Sequence, residues 1–269
     1  MTQDLAQSEI ALDHTRANEK RSDRRALLLR ILSIVVVLIL WEIIGRQYEV
    51  FLSYPLAVLQ AAWEVLVVDN ELLVAFGETL HGYALGYVAA MILGTMLGYL
   101  MGYFKGLDVA LGPYVNALYA TPRIALIPLL VLWVGIGFGM RFTIVILSAV
   151  FPIIITVRDG ARSVADEFLD VARIFVAGGW RTWRTTILPG SLPYVFSALR
   201  IGAQRSLIGI LVAEILAALS GTGRIIQDYG QFFQTDRLLV PIFAIGFFSI
   251  FMTGALNFIQ RRVTPWERR

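Results

Sequence analysis

Residues 163–193 read SVADEFLDVARIFVAGGWRTWRTTILPGSLP and lie between two long apolar runs. This stretch carries acids, arginines, tryptophans and a glycine pair, more charge than a bilayer core accommodates, so it is read as a structured loop on one face of a membrane. Phe168, Val171, Ala172 and Phe175 fall at i, i+3, i+4 and i+7, one apolar stripe of a short helix, while Asp166, Asp170 and Arg173 face away. Gly178 and Gly179 stop that helix. Trp180, Trp183 and Ile187 share one face of a second amphipathic piece, and Leu188-Pro189 opens the next apolar segment with proline where a first helical turn tolerates it.

Composition sets the class around this loop. The 269 residues are 57% hydrophobic and 16% charged, with a mean hydropathy of +0.69, which describes a polytopic, all-α membrane protein. The net charge of +3 comes mostly from arginines near the membrane faces and reports topology, not nucleic-acid binding. There are no cysteines, so disulfides and thiolate metal sites are excluded.

In chain order, residues 1–25 form a polar tail ending in a basic cluster, and the apolar run from Ala26 is long enough to span, which argues against a cleaved signal peptide. The expected spans are 26–45, 79–101, 114–136, 142–157, 189–217 and 238–260, with 46–77 an outer-face helix and 263–269 a short tail. Span three is broken by Pro122 and Pro128 with Arg123 between them, a segment kinked against protein. In span two, Gly82, Gly86, Ala90, Gly94, Gly98 and Gly102 recur every four residues, a face almost without side chains on which another helix can pack closely. With both termini inside, the inner segments hold fifteen lysines and arginines and the outer segments four, namely Arg46, Arg141, Arg224 and Arg237. That bias places both termini and the loop of about 158–188 in the cytoplasm.

Ionisable groups within spans are candidates for function. Arg200, Gln204, Leu207, Leu211 and Glu214 share one stripe of span five, with Arg205 on a different side. The polar members of the stripe either line a water-filled path, together with Arg123, or pair with neighbouring helices and hold the bundle together. No phosphate-binding loop of the Gly-x4-Gly-Lys-Ser/Thr form is present, since neither Lys20 nor Lys105 stands in that context. The two histidines, His14 and His81, form no metalloprotease motif.

Asp170-Val171-Ala172-Arg173, Leu188-Pro189, Pro193 and Leu199-Arg200-Ile201, with the closing Arg261-Arg262-Val263-Thr264-Pro265-Trp266, resemble the permease subunits of binding-protein-dependent ABC importers, most closely the nitrate, sulfonate and taurine branch. The glycine usual three residues after the loop arginine is Val176 here. The resemblance implies the six-span type I importer permease fold in a bacterial inner membrane. It also implies a coupling helix at Asp170, Val171, Ala172, Arg173, Phe175 and Gly178 that docks into a separate ATPase. Arg123 and Arg200 match positions often basic in that family, and Glu214 matches the acid of its V-A-E segment. The implied partners are two ATPase subunits, which bind ATP and Mg that this chain does not, a second copy of the permease and an extracytoplasmic solute-binding protein. Three arginines against Glu214 in the spans suggest a small anion, as the resembling branch carries nitrate, sulfonates, taurine and bicarbonate, whereas related members carry neutral or cationic precursors. A secondary transporter or channel is the alternative; it predicts related halves or matching broken helices, and no second copy of the central loop exists.

Overall fold

The computed structural model describes residues 26–163, 179–217 and 220–268, all helix, turn or short link with no strand among them. The chain divides into two units, residues 1–61 and 62–269. In the first, helix α1 (Ala26–Gln47) is exposed over most of its length, as an apolar helix would be in lipid. A turn at Glu49–Leu52 follows, then α2 (Pro55–Trp63), which continues across the boundary into a π-turn over Glu64–Val68.

The second unit is built from α3 (Glu71–Tyr103), α4 (Lys105–Ala120), α5 (Ile127–Val134), α6 (Phe138–Arg162), α7 (Leu188–Leu216), α8 (Thr222–Gln231) and α9 (Thr235–Val263). Helix α6 is the most enclosed and lies between α3 and α7. Its contact with α3 is the glycine stripe. A Cβ added at Gly86, Gly94, Gly98 or Gly102 would come within 2.7–2.8 Å of Val145, Ile153, Val157 or Ala161 respectively, and one at Gly82 within 3.0 Å of Arg141. Each partner is 59 positions further along the chain (141−82, 145−86, 153−94, 157−98, 161−102). A constant positive offset over five turns means that α3 and α6 run parallel, in one register. Helix α7 runs the other way: the hydroxyls of Tyr83 and Tyr87 donate to the carbonyls of Ala203 and Leu199, and Tyr99 meets Ser191 Oγ, so numbers rise on α3 as they fall on α7.

Parallel α3 and α6 settle how the chain gets from one to the other. Both begin at the same face, so the segment between them must cross back. That segment is α4 and α5, which bend by 86° at Thr121-Pro122 and together count as one broken span, the sixth beside α1, α3, α6, α7 and α9. The break falls at Pro122, whose preceding residue is extended as steric contact with a proline ring requires. Pro128, expected as a second break, instead sits in the first turn of α5, where its missing N–H costs nothing. Arg123 lies in the intervening 3₁₀ turn, Arg123–Leu126. Gly135 (φ 78°) and Gly137 (φ 133°) supply the backbone that turns α5 into α6.

Several boundaries differ from the sequence reading. Helix α3 begins at Glu71, eight residues before the expected span, and the outer-face helix ends at Val68. Residues 179–187 are helical and run without a break into α7, passing through a π-turn at Trp183–Ile187.

Candidate functional site

Of the residues expected in the coupling helix, Asp170, Val171, Ala172, Arg173, Phe175 and Gly178 all lie outside the described residues. Immediately beyond them in the chain, Trp180 and Trp183 stack at 5.0 Å, and Trp183 packs edge-on against Tyr99 of α3. The loop's exit is therefore attached to the core helix that carries the glycine stripe. Nearby, Asp108 of α4 pairs with Arg158 (3.4 Å) and Arg162 (3.0 Å) of α6, and Arg162 also donates to the Met101 carbonyl.

The stripe residues of α7 do not share one surface. Arg200 turns to α9 and donates to the side-chain oxygens of Asn257 (2.6 Å) and Gln260. Glu214 is fully buried. Its Oε1 lies 3.0 Å from Arg141 Nε, close as an ion pair although the N–H is not aligned as a hydrogen bond. Its Oε2 accepts from Gly223 N–H (2.9 Å) at the start of α8 and lies 2.9 Å from the Thr79 hydroxyl, which in turn accepts from Thr222 N–H. Arg141 also reaches Glu78 (3.3 Å) and both oxygens of Ser220. Arg200 and Glu214 are each held by neighbouring helices. Gln204 stays exposed beside Arg205 and Ile208.

The glycines at 221 and 223 belong to this cluster. A Cβ on either would strike the Glu214 side chain, and Gly221 has φ 107°. Gly-Thr-Gly after the acid is the sequence signal for a carboxylate seated under a helix N-terminus, where free N–H groups favour an anion. Beside the cluster, sharing Glu78, Ser220 and Gly221 with it, a cavity of about 450 Å³ is also lined by Asp69, Glu71, Asp228 and Arg224. At its edge the Tyr229 hydroxyl donates to Glu71 (3.1 Å); burial and then the adjacent carboxylate push its pKa up to about 12.

A second polar cavity, about 340 Å³, opens at the break between α4 and α5 and contains two arginines, Arg123 and Arg205, with Thr121 and Ser148. Helical periodicity puts Arg205 on the side away from the candidate path; in the fold it shares a cavity with Arg123. Arg123 Nη2 donates to the Tyr119 carbonyl (2.8 Å) and its guanidinium lies over the Tyr119 ring, whereas its buried Nε has no partner. Neither arginine has a carboxylate within ion-pair distance among the described residues. No His/Asp/Glu cluster able to hold a metal occurs among them either.

Residues 82–269 match the family described as binding-protein-dependent transport system inner membrane component. Among relatives, a protein assigned to aliphatic sulfonates transport as a permease in Bacillus subtilis is 27% identical over 235 residues, 86% of this chain and 85% of its own. The taurine transport system permease protein of Escherichia coli is 31% identical over 157 residues, 58% of this chain and 57% of its own. In fold, a chain of the MetNI methionine ABC transporter, solved in an inward-facing conformation, superposes with a TM-score of 0.59 at 18% identity, covering 75% of this chain and 98% of that one.

Proposed function

The chain belongs to the family of binding-protein-dependent transport system inner membrane components, and from that premise we propose that it is the permease subunit of an ATP-driven importer, forming the path of a small anion of the sulfonate, taurine or nitrate type. As a multi-pass inner-membrane permease of an ABC importer it is not itself an enzyme. Hydrolysis of ATP, with Mg, falls to two copies of a separate ATPase, and the loop of about 158–188 transmits it through Asp170, Val171, Ala172, Arg173, Phe175 and Gly178. A second copy of the chain completes the path, and an extracytoplasmic binding protein delivers the solute. Both termini face the cytoplasm in this reading, supported by the fifteen-to-four bias of basic residues and by the parallel run of α3 and α6.

Movement depends on how the elements are tied. Helices α3, α6 and α7 share a continuous buried core and travel together, while Trp183 on Tyr99 links the loop's exit to them. A displacement of the loop is therefore handed to the core helices, which open the path to one face or the other. Arg123, Arg205 and the exposed Gln204 line that path; Arg200 and Glu214 hold its walls.

The observation that carries the anion assignment is the pair of arginines in one cavity without a carboxylate. The test is purification of the tagged chain from its own membranes, identification of the ATPase bound to it, and uptake into proteoliposomes supplied with binding protein. Uptake of taurine, ethanesulfonate or nitrate driven by ATP is the expected result. Uptake without ATP along an ion gradient would make the chain a secondary transporter.

A further inference from the structure

We infer that the cavity at the break between α4 and α5 is a binding station for a compact, singly charged oxyanion, held between the guanidinium groups of Arg123 and Arg205 with the Ser148 hydroxyl at its floor. The inference rests on the transport reading above for its place on a path, but the site itself stands on geometry.

Two arginines line one cavity, Arg123 half-buried and Arg205 exposed, and like charges gathered in this way within a membrane protein are ordinarily neutralised by an acid. Here the acids are committed elsewhere. Glu214 and Glu78 take Arg141, Asp108 takes Arg158 and Arg162, and Glu64 takes Arg237. Arg205 has no hydrogen bond or ion pair among the described residues, and the buried Nε of Arg123 is a donor without an acceptor. A buried donor left unpaired is costly, so the arrangement calls for an acceptor from outside the chain.

The shape of the site narrows that acceptor. About 340 Å³ is at the small end of ligand cavities, enough for a sulfonate or nitrate group with a short substituent. Guanidinium groups present N–H donors in a planar fork that matches two oxygens of one oxyanion. Ser148 is buried on α6, and a Cβ at Gly209 would strike its hydroxyl, so glycine at 209 leaves the space that the hydroxyl occupies. Ile124, Ile208 and Tyr119 give the apolar rim that a short alkyl substituent would touch. The break in the helix is itself part of the site, since only there does Arg123 leave the helical repeat and enter the cavity that Arg205 lines.

The same chemistry is offered by the headgroup of an anionic lipid, so the test has to separate the two sources. The chain has no cysteine, so Ile208→Cys introduces a single thiol at the rim. The full transporter carrying it is placed in vesicles of phosphatidylcholine alone, or of phosphatidylcholine with phosphatidylglycerol. It is then treated with methanethiosulfonate reagents bearing either a sulfonate or a trimethylammonium group. The sulfonate reagent should react faster by about tenfold or more, as neighbouring unpaired cations require, and free methanesulfonate should slow it in phosphatidylcholine vesicles. Arg205→Gln should bring the two rates together, and Arg205→Lys should keep them apart. Equal rates with both natural arginines present, or a thiol reactive to neither reagent, overturns the site. Protection by phosphatidylglycerol but not by methanesulfonate assigns the arginines to lipid and overturns it equally. If the sulfonate preference is present but ATP-driven uptake is absent, the oxyanion site stands and the transport reading fails; uptake with no preference is the converse.

Discussion

Arg141 of α6 and Glu214 of α7 meet 3.0 Å apart, and the carboxylate has no solvent exposure at all. Around this pair Thr79 of α3 and the first residues of α8 complete the shell, so four elements converge on one charge. A buried ion pair adds little over an apolar packing but is expensive to break from one side.

Arg141→Met should therefore cost about 3–5 kcal/mol, because it leaves the buried Glu214 without its cation. Adding Glu214→Gln removes the charge and keeps an oxygen for Thr79 and Gly223, and the double variant should be more stable than Arg141→Met alone. Thermal unfolding of the detergent-solubilised protein measures both. Losses that simply add would show that the two residues are not coupled.

Gly98→Ala should destabilise by about 1–3 kcal/mol through overpacking, since its Cβ would lie 2.8 Å from Val157 Cβ and 2.9 Å from the Ile154 carbonyl. Gly254→Ala on α9, where nothing lies within 4 Å, should be neutral or stabilising by up to about 1 kcal/mol, the helix propensity gain. Equal unfolding temperatures for the two variants would contradict the close α3–α6 contact.

Arg200→Ala removes the donor to Asn257 and Gln260 and should loosen α9 from α7, at about 1–3 kcal/mol for the polar groups left without that donor. Uptake should fall only in proportion to the assembled protein recovered. A normal unfolding temperature with reduced uptake per assembled subunit would return Arg200 to the solute path.

Asp69 and Asp228 line one cavity and so lie on one side of the membrane. Reporters inserted at either position should both be external, and one fused after Arg269 cytoplasmic. A split result at the two aspartates would be incompatible with the fold, whereas both appearing cytoplasmic would invert the orientation.

On the proposed coupling role, Ala172→Arg should leave insertion intact and abolish co-purification with the ATPase, or stimulation of its hydrolysis by loaded binding protein, because it sets a bulky charge in the apolar stripe that the sequence implies for Phe168 to Phe175. Retention of both would place that helix on the lipid surface instead.

How far the sequence can be read depends on what each signal encodes. The glycine stripe is legible because a four-residue spacing is a property of one helix, but its partner stripe is not. Arg141, Val145, Ile153, Val157 and Ala161 have no common size or polarity, and only their shared offset from the glycines unites them. Hydropathy locates the spans but not the helix ends, because hydrogen bonding carries α3 back to Glu71 beyond the apolar stretch. Periodicity separates Arg205 from the candidate stripe because it lies about 140° around the helix from Arg200 at 3.6 residues per turn. Which of those faces is covered is decided by α9, whose Asn257 and Gln260 claim Arg200 and leave Arg205 to the cavity. The partner of Glu214 is hidden for a different reason: Arg141 reads as a loop charge just outside its span, and the fold draws it inward.

A seam in which small residues repeat every fourth position has a translational ambiguity. Sliding α3 by four residues along α6, about 6 Å, would set Gly86 where Gly82 was and Gly98 where Gly94 was, but also Ala90 where Gly86 was, against Val145, where a Cβ finds no room. The methyl of Ala90 thus breaks an ambiguity that glycines alone would leave. Polar pegs stand at its two ends as well, Glu78 on Arg141 at one and Arg162 on the Met101 carbonyl at the other. Ala90 and these two arginines are stops on a ratchet, so the helices sit in one notch of the several that a purely glycine seam would offer.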